Sequence, residues 1–458
     1  MKKKNIRWNT LQILAMGFIG VILTGGILLW LPFSNTEPIA FMDALFTSTS
    51  AVCVTGLVTI VPATQFTLAG KIILLLLIQI GGLGVIACGT AFFLILRMRI
   101  TVKERILIQE TYNMEAPGGM VAMIIRVIRG TLIVEGIGAL FYSFQFVPEF
   151  GFIKGIWYSV FHAVSAFCNA GIDIIGDSSF ADYVTNPIIN LTTVMLIVVA
   201  GIGFSVWHDL AVNMKRIIKN DVPKSWWFKR LTLHSKLAIV TTAILIISGT
   251  LNFFIVEFNN PETMGGLTVA EKLMASLFHS VSTRTAGFAT ISQTGLTNES
   301  KFFTCILMFI GGSPGGTAGG VKSTTVAMLF LTAFSIFRSG HSTECFGRRI
   351  ADSTIMMGHA VIMSALLMLT TGTMLVTIFE PDIAFLDILY ETTSAMGTVG
   401  LSAGLTAGLS RASQVVIMAL MYVGRIGPIS LALLFGGMSK NKKRDSIREL
   451  PEQTIMVG

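Results

Sequence analysis

The sequence predicts an all-α integral membrane protein with eight transmembrane helices, arranged as four helix–re-entrant loop–helix repeats around a pseudo-fourfold axis. Two observations indicate a membrane protein: 53% of the 458 residues are apolar and only 13% are charged, whereas a soluble domain carries roughly 25% charged residues. The third observation is a pattern that recurs four times at even spacing. This composition excludes a soluble monomer and a disordered chain. The long apolar runs also disfavour a transmembrane barrel, whose strands alternate polar and apolar residues.

About eight apolar segments are long enough to cross a bilayer, which takes roughly 20 residues. They lie near 11–32, 68–96, 122–146, 188–213, 234–257, 303–336, 354–379 and 412–437. Shorter apolar stretches lie between the members of each pair, near 40–52, 154–167, 269–282 and 383–396. Such stretches suit helices that enter and leave the membrane on one side. The first segment is long and has no clear cleavage site after it, which favours a spanning helix over a signal peptide.

The distribution of charge predicts the orientation. Lys and Arg concentrate at the N-terminus and in segments 97–121, 214–233, 337–353 and 438–458, whereas the alternate side carries mainly acids. The positive-inside rule therefore places both termini in the cytoplasm, and the short stretches enter from outside. The same rule accounts for the net charge of +8 without a nucleic-acid partner. The five cysteines are scattered, so neither a zinc site nor a disulfide framework is indicated.

The four short stretches share a sequence pattern. Each has an aromatic residue, a serine four residues later, and then a glycine followed by an apolar residue. The matches run Phe46–Leu57, Phe161–Ile172, Phe278–Phe288 and Tyr390–Leu401. Their glycines, Gly56, Gly171, Gly287 and Gly400, are 115, 116 and 113 residues apart. The predicted organisation is repeat 1 at 1–100, repeat 2 at 101–232, repeat 3 at 233–350 with a broken second helix, repeat 4 at 351–438, and a cytoplasmic tail at 439–458.

The loop chemistry suits a cation. A potassium ion that leaves water needs other oxygens in place of its hydration shell, and rings of backbone carbonyls supply them without a fixed charge. Glycine adopts the required positive φ without a Cβ clash, and the helix C-termini direct partial negative charge at the ion path. The predicted selectivity filter is Val54, Thr55, Gly56, Asn169, Ala170, Gly171, Thr285, Ala286, Gly287, Thr398, Val399 and Gly400. Because only the glycine is common to all four loops, we expect looser selectivity that admits Rb⁺ and some Na⁺.

The third loop, FHSVSTRTAGF at Phe278–Phe288, resembles the hallmark of the Trk/Ktr/HKT superfamily of potassium transporters, and the four repeats resemble that fold across nearly the whole chain. Eight spans without extra N-terminal helices are most similar to the KtrB branch, the membrane subunits of bacterial Ktr systems. The resemblance implies a homodimer in the bacterial plasma membrane with one pore per protomer. It also implies a cytosolic ring of nucleotide-binding, KtrA-like regulatory subunits and a K⁺ flux promoted by Na⁺. The basic loops near 97–121, 214–233 and 337–353 are then candidate contacts for the regulator.

A Gly-rich stretch interrupts the sixth predicted span. Residues 311–324 contain six glycines and Pro314, and a helix interior loses about 1 kcal/mol for each Gly and about 3 for Pro. Unwound backbone at membrane depth is tolerated where it is buried in protein or lines a cavity. In the resembled family this segment is an intramembrane gate. The predicted gate is Gly311, Gly312, Ser313, Pro314, Gly315, Gly316 and Thr317, with Gly319 and Gly320 at its margin.

Two other interpretations of these glycines were weighed. A Walker A nucleotide loop is disfavoured because Val321 separates Gly320 from Lys322 and no strand precedes, whereas a purely structural packing break remains an alternative. The second helices of the other repeats also carry mid-span glycines, for which close helix packing is favoured. These are Gly81, Gly82, Gly84, Gly201, Gly203, Gly424 and Gly427.

Charged residues at membrane depth are costly and need a cavity or partners. By repeat symmetry Arg425 is expected beside the sixth-span loop, where the resembled family places a basic gating residue. Arg284 is expected behind the third loop as a brace, with Glu391 as a partner. Lys322 is expected to face the cytoplasmic vestibule. His162 and His279 are expected to pack among the short helices rather than to bind ions.

These features predict K⁺ uptake driven by the membrane potential, which contributes about 2.3 kcal/mol per charge per 100 mV. The alternative function is a secondary transporter of another small solute, although such folds usually have two inverted halves. An enzyme is disfavoured because the sequence lacks paired intramembrane carboxylates and known hydrolase motifs. K⁺ is the expected transported ion, and Na⁺ is the second candidate. No organic cofactor is expected in this chain, and membrane lipids are the remaining partners.

Overall fold

Helices make up most of the chain that the computed structural model describes, which is residues 10–84, 88, 120–176, 178–219, 226–338 and 342–427. In order they are α1 (Thr10–Trp30), α2 (Phe41–Cys53), α3 (Pro62–Gln65), α4 (Leu68–Leu83), α5 (Met120–Phe150), α6 (Phe152–Cys168), α7 (Pro187–Gly201), α8 (Phe204–Ile218), α9 (Leu233–Val256), α10 (Val269–Ser282), α11 (Asn298–Phe309), α12 (Ser323–Phe337), α13 (Asp352–Phe379), α14 (Phe385–Gly397) and α15 (Arg411–Ile426). Single 3₁₀ turns lie at Pro32–Ser34, Ala181–Tyr183 and Thr406–Gly408. Strands β1 (Glu344–Cys345) and β2 (Arg348–Arg349) pair antiparallel.

Several helices have the length and composition of membrane spans. Within the described part of the chain, these are Gln12–Trp30, α9 and α13, and a fourth is obtained if α7 and α8, which bend by 95°, count as one span. At most 33% of each apolar window in the three straight helices is buried inside the protein. Their outer faces are therefore apolar and unburied, as lipid-facing surfaces are.

The four short helices α2, α6, α10 and α14 lie in the protein interior. Their bounds agree with the predicted short stretches to within two residues. The aromatic residue of each repeat is at most 1% exposed. Those residues are Phe46, Phe161, Phe278 and Tyr390.

The second helix of each repeat packs against the short helix of the next. Helix α4 contacts α6, α7 contacts α10, α11 contacts α14, and α15 returns to α2. The contacts therefore close in a circle, and the four short helices are brought around a common centre.

Each second helix begins at a side-chain cap that satisfies an otherwise unpaired backbone N–H. The capping residues are Thr67, Asn186, Thr297 and Ser410.

Some sequence predictions fall outside the described residues. They are positions 97–119 of the basic segment 97–121, positions 220–225 of the segment 214–233, positions 339–341 of the segment 337–353, the ends of the predicted spans 68–96 and 412–437, both termini and the 439–458 tail.

Candidate functional site

The four predicted filter loops follow the C-terminal ends of the short helices and share one backbone geometry. Each loop has two residues with positive φ, two positions apart. The first, with φ between 51° and 71°, is Val54, Asn169, Thr285 or Thr398. The second, with φ between 61° and 102°, is Gly56, Gly171, Gly287 or Gly400. A non-glycine residue in this region costs about 1–2 kcal/mol, so the surrounding helices must hold the loops in this conformation.

The four glycines form a closed ring. A Cβ placed on Gly56 would lie 2.6 Å from the carbonyl oxygen of Ala170, the residue that precedes the next glycine. The same relation holds for Gly171 with Ala286 (2.5 Å), Gly287 with Val399 (2.4 Å) and Gly400 with Thr55 (2.1 Å). The last step returns to the first loop, so the glycine ring, as we call these four residues, has the cyclic order of the repeats. At these distances no side chain fits, which explains why every loop has glycine here.

The serine of each repeat braces its own loop. Ser50 accepts a hydrogen bond from the backbone N–H of Gly56 at 2.9 Å, and Ser394 accepts one from Gly400 at 3.0 Å. In the other two repeats the serine donates to the carbonyl after the glycine instead: Ser165 to Ile172 at 2.6 Å, and Ser282 to Phe288. Sequence reasoning used these serines only as markers of the repeat. Their recurrence five or six residues before each glycine was the available signal for this bracing role.

An open cavity of about 520 Å³ lies over the glycine ring, and all four glycines line it. Its walls carry several hydroxyl and amide side chains. Among them are Ser179, Ser292, Gln293, Ser402 and Thr406. A cation that approaches the glycine ring from this side therefore meets polar groups.

The sixth predicted span is broken as expected. Helix α11 ends at Phe309 and α12 begins at Ser323, and we call Ile310–Lys322 the intramembrane loop. Its two ends pair with each other: Gly311 N–H donates to Val321 at 2.8 Å, and Ser323 N–H donates to Gly312 at 3.1 Å. The unwound segment is longer than the predicted Gly311–Thr317 and includes Gly319 and Gly320.

The intramembrane loop lies against the second and fourth repeats. Ser313 N–H donates to the carbonyl of Gly201 at 2.9 Å, and Phe204 N–H donates to Gly315 at 2.9 Å. On the other side, a Cβ on Gly319 would lie 2.1 Å from Oγ1 of Thr398, the residue that begins the fourth filter loop. The loop therefore lies directly next to the filter loops, on the side away from the open cavity.

Pro314 and Gly316 also pack at the break between α7 and α8. The carbonyl oxygen of Pro314 would lie 2.6 Å from a Cβ on Gly203, and a Cβ on Gly316 would lie 2.7 Å from the carbonyl of Ala200. The close backbone approach leaves no room for side chains at either glycine. The predicted gate residues Gly311–Thr317 thus all lie in this loop, where Gly315 is exposed and Ser313 and Thr317 are buried, whereas the predicted gate residue Arg425 lies on α15.

Arg425 connects three repeats at the intramembrane loop. Its guanidinium donates to the carbonyl of Thr317 in the loop and to the carbonyls of Gly81, at 2.5 Å, and Gly82, at 3.2 Å, at the end of α4. The sequence prediction placed Arg425 beside this loop, and the geometry agrees. The partial negative charges of these carbonyls offset the cost of a cation at this depth.

Lys322 lies at the end of the intramembrane loop and is partly buried. Its ammonium group turns back on the intramembrane loop and donates to the carbonyls of Ala318, at 2.7 Å, and Gly319, at 3.4 Å. These carbonyls lie four and three residues before the lysine, within reach of its side chain.

The packing prediction for the mid-span glycines is right for some positions and wrong for others. Gly81 and Gly424 do allow close packing, because a Cβ on them would lie 2.3 Å and 2.0 Å from backbone carbonyls of short helices. Gly84 and Gly427 instead have positive φ, at 88° and 93°, and stand where α4 and α15 end, whereas Gly203 combines a φ of 99° at the start of α8 with the close approach of Pro314. The predicted span 188–213 consequently bends by 95° at this point.

The proposed partnership of Arg284 with Glu391 is wrong. Arg284 is buried and its Nη2 donates to Thr242 Oγ1 on α9 at 3.2 Å. Glu391 accepts hydrogen bonds from Ser402, from Leu405 N–H at 3.3 Å and from Thr406 at 3.1 Å, all in its own repeat. Hydrogen bonds within one loop satisfied the carboxylate, so it does not reach across to the third repeat.

The two histidines pack as expected. His162 is fully buried and shares its ring nitrogens between the carbonyl of Tyr158, at 2.7 Å, and Ile174 N–H, at 3.4 Å. The ring of His279 lies 4.4 Å from that of Phe253. Both imidazoles are therefore structural elements of the layer around the short helices.

Comparisons with known proteins place the chain in a family. A family model described as TrkH, cation transport protein, matches residues 4–444. The chain is 38% identical to the potassium/sodium uptake protein NtpJ of Enterococcus hirae, over 100% of this chain and 99% of that protein. It is 37% identical to the Ktr system potassium uptake protein B of Bacillus subtilis, over 99% of this chain and 98% of that protein.

A solved structure shares the fold. The potassium transporter TrkH from Vibrio parahaemolyticus aligns with a TM-score of 0.73 at 16% identity, over 95% of this chain and 86% of that one. The relatives are ion transporters, which confirms the predicted resemblance and the expectation that the chain is not an enzyme. The chain belongs to the TrkH family of cation transport proteins.

Proposed function

We propose that this chain takes up potassium through the glycine ring and that the intramembrane loop closes the pathway behind it. The observation that carries the proposal is the cyclic closure of four loops, in which each glycine abuts the carbonyl that precedes the next. Such a ring directs backbone oxygens at one axis, which is the chemistry that replaces the hydration shell of K⁺. The names of the relatives, which describe potassium uptake and potassium/sodium uptake, support the same cargo.

The filter is formed by all twelve predicted residues, three from each loop. The carbonyls of Thr55, Ala170, Ala286 and Val399 lie closest to the neighbouring glycines. Only the glycine is common to all four loops, so the oxygens are less regular than in four identical loops. We therefore propose a preference for K⁺ over Na⁺ that is weaker than that of a symmetric channel, with Na⁺ also promoting the flux.

The gate is the intramembrane loop together with Arg425. The loop is bonded to the second repeat at Gly201 and Phe204 and, through Arg425, to the first. A positive charge beside the path raises the barrier for cations, and breaking these few backbone bonds would let the loop move aside. A packing break without a gating role would need no such set of bonds to three other repeats.

The surrounding architecture is proposed to be eight spans in four repeats, with both termini in the cytoplasm. The Ktr name of one relative supports a multi-component system, in which two copies of this chain sit on a cytosolic ring of nucleotide-binding subunits. The membrane potential supplies the driving force.

Genetic rescue tests the proposal. A bacterium that lacks its own potassium uptake should grow on low potassium when it carries this chain with a Ktr-type regulator. The matched variant Gly287→Ser, whose Cβ would meet the carbonyl of Val399 at 2.4 Å, should not restore growth. Absence of rescue by the wild-type chain, with the protein present in the membrane, would count heavily against the proposal. Competition of Rb⁺ uptake by an organic solute would instead favour a secondary transporter.

A further inference from the structure

Glu391 is a buried acid directly behind the wall of the open cavity over the glycine ring. It is 1% exposed and stands on the short helix α14. Its carboxylate accepts hydrogen bonds from the hydroxyl of Ser402, from the hydroxyl of Thr406 at 3.1 Å and from Leu405 N–H at 3.3 Å. Ser402 and Thr406 both line the cavity, so two of these donors belong to the cavity wall.

The partners of Glu391 favour its ionised form. Each of these contacts places a donor on a carboxylate oxygen, which an ionised carboxylate accepts without a proton of its own. Among the described residues no lysine, arginine or histidine forms an ion pair with it. No side chain in this part of the chain therefore neutralises its charge, and charge at membrane depth is costly and typically marks an ion pathway.

The other repeats show that bracing the loop does not itself require a charge. The residue that follows the aromatic of the pattern is, in the order of the repeats, Thr47, His162, His279 and Glu391. His162 braces the loop of its own repeat, since its Nε2 accepts a hydrogen bond from Ile174 N–H at 3.4 Å. An imidazole whose ring nitrogen accepts a hydrogen bond is uncharged. The carboxylate of the fourth repeat thus supplies a charge that the bracing role leaves unexplained.

The carboxylate also orients the hydroxyl groups of the wall. A hydroxyl has one hydrogen and two lone pairs, and the hydrogens of Ser402 and Thr406 are donated to Glu391. Oγ of Ser402 also accepts a bond from Gly404 N–H at 3.0 Å, and Oγ1 of Thr406 lies 3.1 Å from it. Because the single hydrogen of Thr406 bonds more strongly to a charged acceptor, each oxygen retains at least one lone pair for a cation in the cavity.

These hydroxyl groups lie next to the glycine ring. Ser402 follows Gly400 by two residues, and both line the cavity of about 520 Å³. The same position of the second repeat is Asp173, which lines the cavity as well. In the cyclic order of the repeats the second lies opposite the fourth, so a cation over the ring has an acid on two sides.

We propose that Glu391 is a positioning residue of a cation site in the open cavity, where Ser402 and Thr406 bind K⁺ before it enters the filter. The carboxylate supplies the charge that concentrates K⁺ at this wall, and its hydrogen bonds leave the hydroxyl oxygens available to the ion. This role, which rests on the proposed uptake of K⁺ through the glycine ring, lies outside the twelve filter residues.

The K⁺ dependence of uptake tests this role in cells that depend on this chain and a Ktr-type regulator. Glu391→Gln keeps the size of the side chain and removes its charge. We expect the KM for K⁺ to rise about tenfold, the lower end of the range over which a local field concentrates ions, with an unchanged Vmax. Glu391→Asp keeps the charge and should have a KM closer to that of the wild type.

Glu257→Gln is the matched control. Glu257 is also fully buried and accepts hydrogen bonds from neutral groups, among them Thr263 at 2.7 Å and Thr297 at 2.8 Å, but neither of these lines the cavity. This variant should have a lower Tm and an unchanged KM. An equal rise of the KM in both glutamate variants, or a lower Vmax with the wild-type KM in Glu391→Gln, would show a structural role alone and overturn the proposal.

Ser402→Ala removes one proposed oxygen ligand and leaves Glu391 in place. It should raise the KM as well, and the double variant should show less than the product of the two single effects, because both changes act on one site. A wild-type KM for Ser402→Ala would overturn the proposal even if Glu391→Gln failed to reach the membrane, and so would independent effects in the double variant. Absence of K⁺ uptake by the wild-type chain would contradict the proposed function and this role with it.

Discussion

Substituting Gly400 by alanine should disrupt the glycine ring with the smallest possible side chain. The added Cβ would lie 2.1 Å from the carbonyl oxygen of Thr55, although real Cβ atoms stay beyond 3.0 Å. The carbonyl must therefore move by about 1 Å to relieve the overlap. Alanine also pays for the φ of 96°, since positive φ costs an L-residue about 1–2 kcal/mol. The displaced oxygen belongs to the first repeat, so a change in the fourth loop distorts its neighbour.

The assay is uptake of K⁺, Rb⁺ and Na⁺ by cells that depend on this chain and its regulator. We expect the K⁺ rate to fall and the preference for K⁺ over Na⁺ to shrink. Gly20→Ala is the matched control: no atom lies within 4 Å of its added Cβ, and alanine favours a helix interior by about 1 kcal/mol. If Gly400→Ala kept wild-type rates and ion preference at wild-type abundance, the glycine ring would not be the filter.

Three other changes give distinct results. Arg425→Ala removes charge-assisted hydrogen bonds to the intramembrane loop, worth about 1.5–3 kcal/mol each. K⁺ uptake without the regulator should therefore rise at least tenfold. Uptake by this variant that still requires the regulator would contradict the gating role of Arg425. Ser394→Ala leaves the N–H of Gly400 without its acceptor at 3.0 Å, at a cost of about 1–3 kcal/mol. The variant should have a lower Tm and a weaker preference for K⁺ over Na⁺. A lower Tm with an unchanged ion preference would show that the serine contributes to stability alone. Asp43 pairs with Arg411 at 2.7 Å, and that hydrogen bond is the main reason why the pKa of Asp43 lies below its ordinary value of 3.8. The stabilisation from this pair is present above pH 3.8 and is lost as pH falls through the lowered pKa. Asp43→Asn should therefore flatten the acid limb of the plot of Tm against pH, because it removes about 1 kcal/mol or less of stability. Identical plots for the variant and the wild type would show that the pair contributes nothing to stability.

The positions of the short helices were predictable because they depend on local pattern. An aromatic residue, a serine four residues later and a glycine five or six residues after the serine recur in each repeat, and each helix ends where the glycine loop requires positive φ. The break after Phe309 was predictable for the same reason, since six glycines and one proline cannot sustain a helix. Nothing beyond the residues themselves was needed for these assignments.

The partners of buried polar groups were not predictable in this way. Glu391 was assigned to Arg284 because both lie near filter loops, yet hydroxyl and amide groups from residues 402–406 surround the carboxylate. The bend after Gly201 was missed as well. Glycine in a helix pattern has two physical uses, close packing and positive φ, and the sequence does not distinguish Gly201 from Gly203.

The sequence by itself determined that the chain is a membrane protein of four similar units with a glycine at the centre of each, because composition and spacing are properties of the chain alone. Only the tertiary structure decided that each glycine abuts the carbonyl before the next, that Arg425 bonds to Thr317 and Gly81, and that α8 leaves α7 at 95°. The physical reason is separation along the chain. Contacts between residues more than 100 positions apart depend on how the four units pack around one axis, and no local pattern encodes which oxygen a given side chain will meet.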